Sequence, residues 1–87
     1  MSLVDVYEKP NCVQCTMTKS FLRKSGIAFR SLDAIKNLDM LRERGIAAAP
    51  GIIYEPLGIA VGGFNIDALN QIKAHFEGEH PQEGELS

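Results

Sequence analysis

Between Asn11 and Gly26 the chain carries a complete helix pattern, and the rest of the fold is constrained by it. Val13, Met17, Phe21 and Leu22 recur at helical spacing, with Lys19, Arg23 and Lys24 on the remaining surface. Asn11 or Cys12 supplies the N-cap, and Gly26 is the stop. The three cations in the second half suit the negative end of the helix dipole. Short β-prone runs lie on either side. Residues 3–7 form the first, broken by Lys9-Pro10-Asn11; residues 27–33 alternate apolar and polar and form the second. A strand, a helix and a strand joined this closely make a parallel βαβ unit, whose crossover is right-handed.

The remainder fits around that unit. A second helix is expected over residues 36–44, closed by Gly45. Ala47-Ala48-Ala49 cannot stay helical into Pro50, because the residue before proline is pushed to an extended conformation. Gly51-Ile52-Ile53-Tyr54 reads as a third strand, Glu55-Pro56-Leu57-Gly58 as a turn, and Ile59-Ala60-Val61 as a fourth strand pairing antiparallel with the third. Gly62-Gly63 leads to Asn65, which caps a last helix with Ile66, Leu69, Ile72 and Phe76 on one face. The order β-α-β-α-β-β-α gives an α/β fold: a four-stranded mixed sheet with three helices, on both faces. One domain is expected over residues 1–77 and a flexible polar tail over 78–87.

Composition narrows the function classes. The chain has 87 residues, one domain's worth, and 45% are hydrophobic, enough for a globular core. A formal net charge of −2 gives no basic footprint for nucleic acid. No apolar stretch is long enough to span a bilayer. With Asp5 near the start and no basic segment before an apolar run, no secretory signal is expected. Two cysteines are too few to staple a small secreted domain, so the expected location is cytoplasmic.

Those cysteines, Cys12 and Cys15, fall at the start of the first helix, one turn apart. Thiolate is the reactive form of cysteine, and the free N–H groups of a helix N-terminus stabilise that anion. Cys12 is expected to be the acidified, partly exposed nucleophile and Cys15 the more buried resolving thiol. Their spacing lets the sulfurs reach bonding distance, giving a redox-active disulfide. Two other readings stand beside this one. The pair is small enough to be core packing. Alternatively it is part of a metal or Fe–S site, although zinc would need four ligands and only His75 and His80 are on offer. Lys9, three residues before Cys12, either adds positive charge there or is a solvated lysine.

A strand, then Cys-x-x-C at a helix start, then Ala-Pro before a strand and Gly-Gly before a last helix: over residues 4–76 the chain resembles the thioredoxin superfamily. More narrowly it resembles glutaredoxins and the glutaredoxin-like NrdH-redoxins. Cys12-Val13-Gln14-Cys15, followed by Thr16 and Lys19, is similar to the NrdH-redoxin motif. The resemblance implies a cis bond before Pro50 beside the cysteines. It implies that Ala49 offers backbone groups to an extended substrate. It also implies that Gly62, Gly63, Phe64 and Asn65 form a turn where backbone approaches a ligand and the helix start favours a carboxylate. Lys9, Val13 and Gln14, with Tyr7 and Pro10, complete the expected partner-binding rim.

The implied activity is dithiol–disulfide exchange by a monomer with no bound cofactor. The implied reductant is thioredoxin reductase, and the implied substrate is a protein disulfide such as that of ribonucleotide reductase. Glutathione is the alternative reductant, held at Lys9, Ala49, Gly63 and Asn65. Ile46 stands four residues before Pro50, where many glutathione-binding glutaredoxins carry a cation, and this favours the NrdH-like reading. Gly62-Gly63 favours the other, since NrdH-redoxins usually have Trp-Ser-Gly-Phe where this chain has Val61-Gly62-Gly63-Phe64. Gly51 is unusual for both families.

Overall fold

A computed structural model describes residues 3–79. Its elements run β1 (Val4–Glu8), α1 (Val13–Lys24), β2 (Phe29–Asp33), α2 (Leu38–Glu43), β3 (Gly51–Tyr54), β4 (Ile59–Gly62) and α3 (Ile66–Glu79). Among the described residues these strands form one sheet in the order β2-β1-β3-β4. β1 pairs parallel with β2, while β1–β3 and β3–β4 are antiparallel. The mixed sheet and helices match the fold expected from sequence. The backbone of α3 runs through Gly78 and Glu79, two residues into the expected tail, and residues 80–87, with His80, lie outside the described residues.

Strand alternation divides the sheet into two faces. Val4, Val6, Ile52, Tyr54 and Ile59 point one way and pack with Leu22 and Ile27 of the α1 segment and with Ala68, Leu69 and Ile72 of α3. Tyr7 and Ile53 point the other way and pack with Ala34, Leu41 and Ile46 around α2. Leu22, Ile52, Leu69 and Ile72 are fully buried, each contributing about 1.5–3 kcal/mol of apolar transfer.

Two helices end by the same device. After α1, Gly26 takes a left-handed φ of 70°, its N–H donates to the Arg23 carbonyl, and Ile27 N–H donates to the Leu22 carbonyl. After α2, Gly45 has φ 77°, its N–H donates to Arg42, and Ile46 N–H donates to Leu41. Both are Schellman caps, in which the residue after the glycine packs on the helix it has just left. Ile27 and Leu22 share the first core, and Ile46 and Leu41 share the second. Ile27 is thus a capping residue, and β2 starts later than the sequence suggested, at Phe29. The second helix is also shorter than expected. The Asp33 carboxylate accepts from Ile35 and Lys36 N–H at 2.8 and 3.1 Å, which winds Ile35–Asn37 into a 3-10 turn before α2 begins.

Candidate redox site

The site is built where β1 hands over to α1. Asn11 adopts a left-handed φ of 57°, a conformation asparagine tolerates, and turns the chain. Asn11 is therefore the turn residue, and Cys12, in extended conformation, is the N-cap. The Cys12 Sγ accepts the Cys15 N–H at 3.1 Å, doing with sulfur what a serine or aspartate oxygen does at most caps. No acidic residue stands in the first turn of α1 to oppose negative charge on that sulfur. Cys12 is half-buried, and Cys15 is 1% exposed. The two are joined as a disulfide, with Cα atoms 5.2 Å apart.

Gln14, between the cysteines, faces solvent, yet its Oε1 accepts the Phe64 N–H at 3.0 Å. The turn that presents Phe64 is held in turn by Gly63, whose N–H donates to the Pro50 carbonyl at 2.8 Å. The Ala49–Pro50 peptide is cis. Gln14, Gly63, Phe64 and Pro50, all singled out from sequence, are thereby joined in one hydrogen-bonded framework. The Pro50 side chain is fully buried, and Ala49 beside it is half-buried.

The glycines have specific neighbours. A Cβ on Gly62 would lie 2.9 Å from the Ala48 carbonyl oxygen and 3.3 Å from Ile46 Cγ2. Its bare backbone thus makes room for this chain's own Ala48–Pro50 segment. Gly51 is buried on the α2 face, where a Cβ would meet Leu41 Cδ2 at 3.2 Å, Ile46 Cγ2 at 3.3 Å and Tyr7 Cβ at 3.4 Å. Close packing of α2 and its cap against the sheet explains the glycine there. At Asn65 the side-chain oxygen accepts the Ala68 N–H at 3.0 Å, the N-cap of α3.

Lys9 and Ala49 come together on a groove of about 260 Å³, lined also by Ile35, Leu38, Arg42, Ile46, Ala47 and Ala48. Arg42 therefore brings a cation to this groove from α2, although Ile46 at the expected cation position is 3% exposed and belongs to the helix cap. Spacing from Pro50 does not reveal Arg42; its position on α2 does. Val13 is 74% exposed beside the cysteines, and Pro10 is exposed. Lys19 pairs with Glu8 at 2.9 Å, and hydrogen bonding to Lys19 holds the Glu8 carboxyl below its ordinary value. Burial, with the Asp5 charge adding to it, pushes the Tyr7 hydroxyl up. Among the described residues no cluster of three or more His, Cys, Asp or Glu side chains is placed to hold a metal ion. His75 instead stacks edge-on against Tyr54, with ring centroids 5.6 Å apart. No described helix is long and apolar enough to cross a membrane.

Comparison with known proteins agrees with this geometry. The Glutaredoxin family model matches residues 4–52. Glutaredoxin-like protein NrdH of Lactococcus lactis subsp. cremoris is 33% identical over 73 residues, covering 80% of this chain and 99% of the relative. The protein of the same name from Lactococcus lactis subsp. lactis matches equally well. Crystal structures of the thioredoxin-like protein BC3987 superpose with TM-scores of 0.66 for a point mutant and 0.65 without it, at 28% identity. They cover 82% and 78% of this chain, and it covers 94% and 96% of theirs. A strand, a cysteine-capped helix with its disulfide, and these relatives together make the chain a member of the glutaredoxin family, of the NrdH-like kind, and a thiol–disulfide oxidoreductase.

Proposed function

We propose that the chain is an electron carrier that reduces protein disulfides, with Cys12 as nucleophile and Cys15 as resolving thiol. The observation that carries the assignment is the Cys15 N–H directed at Cys12 Sγ from the first turn of α1. In the reduced protein that donor and the helix dipole favour the Cys12 thiolate. The thiolate attacks one sulfur of the substrate disulfide, forms a mixed disulfide, and releases the other sulfur as a thiol. Cys15 then attacks Cys12 Sγ, closes the internal disulfide and releases the second substrate thiol. Two electrons and two protons pass from the protein to the substrate. Lys9, Pro10, Val13 and Ala49 form the partner-facing rim, and the protein acts as a monomer whose domain ends with α3.

The similarity to NrdH proteins supports thioredoxin reductase as the electron source and a ribonucleotide reductase disulfide as the substrate. A second reading, glutathione as reductant, is favoured by Arg42 and Lys9 on the groove beside Ala49. A recycling assay separates them. Oxidised protein is offered NADPH with thioredoxin reductase, or NADPH with glutathione and glutathione reductase. Turnover with thioredoxin reductase alone is expected. Turnover with glutathione alone would transfer the chain to the second reading.

A further inference from the structure

Thr18 is 0% exposed, on the face of α1 that also buries Cys15 and Leu22, and among the described residues its hydroxyl has no hydrogen-bond partner. A threonine inside a helix ordinarily bonds back to a carbonyl three or four residues earlier. Thr16 does so, donating to the Cys12 carbonyl at 3.4 Å, but Thr18 does not. Helical side chains lean toward the helix N-terminus, so Thr18 covers the turn that carries Cys15, three positions before it. Cys15 is itself 1% exposed, and its sulfur is bonded to Cys12. In that state the sulfur has no proton to offer. Reduction breaks the S–S bond, and each sulfur takes up one electron and one proton. A new buried S–H donor then lies one helical turn from an orphaned hydroxyl oxygen.

We propose that Thr18 is a positioning residue for the resolving cysteine: its Oγ1 accepts the Cys15 S–H in the reduced protein and loses that bond when the disulfide closes. This role rests on the exchange activity proposed above and concerns how firmly the dithiol is held against oxidation. The hydroxyl is cut off from water in both states, so the bond forms with no further desolvation cost to it. The orphaned oxygen therefore weighs on the disulfide form alone, and Thr18 shifts the balance toward the dithiol. S–H is a weak donor, which keeps the shift modest.

The test equilibrates wild type, Thr18→Val and Thr18→Ser with a series of reduced-to-oxidised dithiothreitol ratios in the absence of oxygen. Two electrons and two protons pass from dithiothreitol to the protein disulfide, leaving the cyclic dithiothreitol disulfide and the protein dithiol. The fraction reduced is read by acid quench, alkylation and mass spectrometry. Thr18→Val, of nearly the same shape but without the hydroxyl, should be about fivefold harder to reduce, the worth of one hydrogen bond. At about 29.6 mV per tenfold for two electrons, that is a potential about 20 mV more negative. Thr18→Ser keeps the hydroxyl and should stay within about twofold of wild type. In a Cys12→Ser background, where Cys15 is the one thiol left, the infrared S–H stretch should fall at lower frequency with Thr18 or Ser at position 18 than with Val. An equilibrium constant unchanged or shifted the other way in Thr18→Val overturns the proposal. So does a Thr18→Ser protein displaced as far as Thr18→Val, or an S–H band that ignores the hydroxyl. A wild type whose cysteines never equilibrate with dithiothreitol would instead overturn the exchange activity on which the proposal rests.

Discussion

Gly62→Ala is the smallest change that reports on how the segment before β3 is held. The new methyl would stand 2.9 Å from the Ala48 carbonyl oxygen, 3.2 Å from the Ala48 nitrogen and 3.3 Å from Ile46 Cγ2. Two of these are backbone atoms. The segment is pinned at one end by the Ile46–Leu41 cap and at the other by the Gly63–Pro50 hydrogen bond, so it cannot swing aside freely. Overpacking of this kind costs about 1–3 kcal/mol. Replacing glycine by alanine also removes freedom from the unfolded chain, which returns roughly 0.4–1 kcal/mol. A net loss of about 1–2 kcal/mol lowers the melting temperature of a domain this size by roughly 4–15 °C. The comparison variant is Gly51→Ala, whose nearest contact is a terminal Leu41 methyl at 3.2 Å that can rotate. Thermal melts followed by circular dichroism should show the larger drop in Gly62→Ala. A Gly62→Ala protein melting at or above wild type would refute the packing argument.

Three further outcomes are expected. Thr18 is fully buried with no hydrogen-bond partner for its hydroxyl among the described residues, so Thr18→Val, of nearly the same shape, should raise stability by about 1 kcal/mol in urea titration. A fall would show that the hydroxyl is satisfied. The Glu8 carboxyl titrates lower in the fold than in the unfolded chain, chiefly through its hydrogen bond to Lys19. Its stabilisation is therefore complete above the ordinary carboxylate range and lost as pH falls through the folded value, so below about pH 5 wild type should lose stability more steeply than Lys19→Gln. Parallel stability-against-pH curves would contradict that. Cys15→Ser should accumulate a mixed disulfide between Cys12 and the substrate, visible by mass spectrometry, whereas sustained dithiol turnover in that variant would reverse the assigned roles.

Much of this architecture was legible in the sequence because its signals are local. The extent of α1 follows from the cysteine at its start and Gly26 beyond its end, and the observed Val13–Lys24 agrees. Ile27 was misread because one apolar residue after a glycine fits both a strand start and a Schellman cap, and only the fold shows which carbonyl its N–H reaches. Ile46 holds the equivalent position after α2, so its apolar character serves the helix end, and absence of a cation there does not empty the neighbouring groove of charge. The Asp33 carboxylate shortened α2 by capping early. Gln14 meeting Phe64, and the close approaches at Gly51 and Gly62, depend on contacts between distant segments, which no local pattern encodes.

The central claim is that the N-cap position makes Cys12 the attacking sulfur. It is tested most directly by alkylating the fully reduced protein with limiting iodoacetamide across a pH series and locating the label by peptide mass spectrometry. Cys12 should be labelled first, at a pH where an ordinary thiol is still protonated, while Cys15, 1% exposed in the oxidised fold, stays largely unmodified. Labelling of Cys15 first, or of both cysteines together only as ordinary thiols ionise, would contradict it.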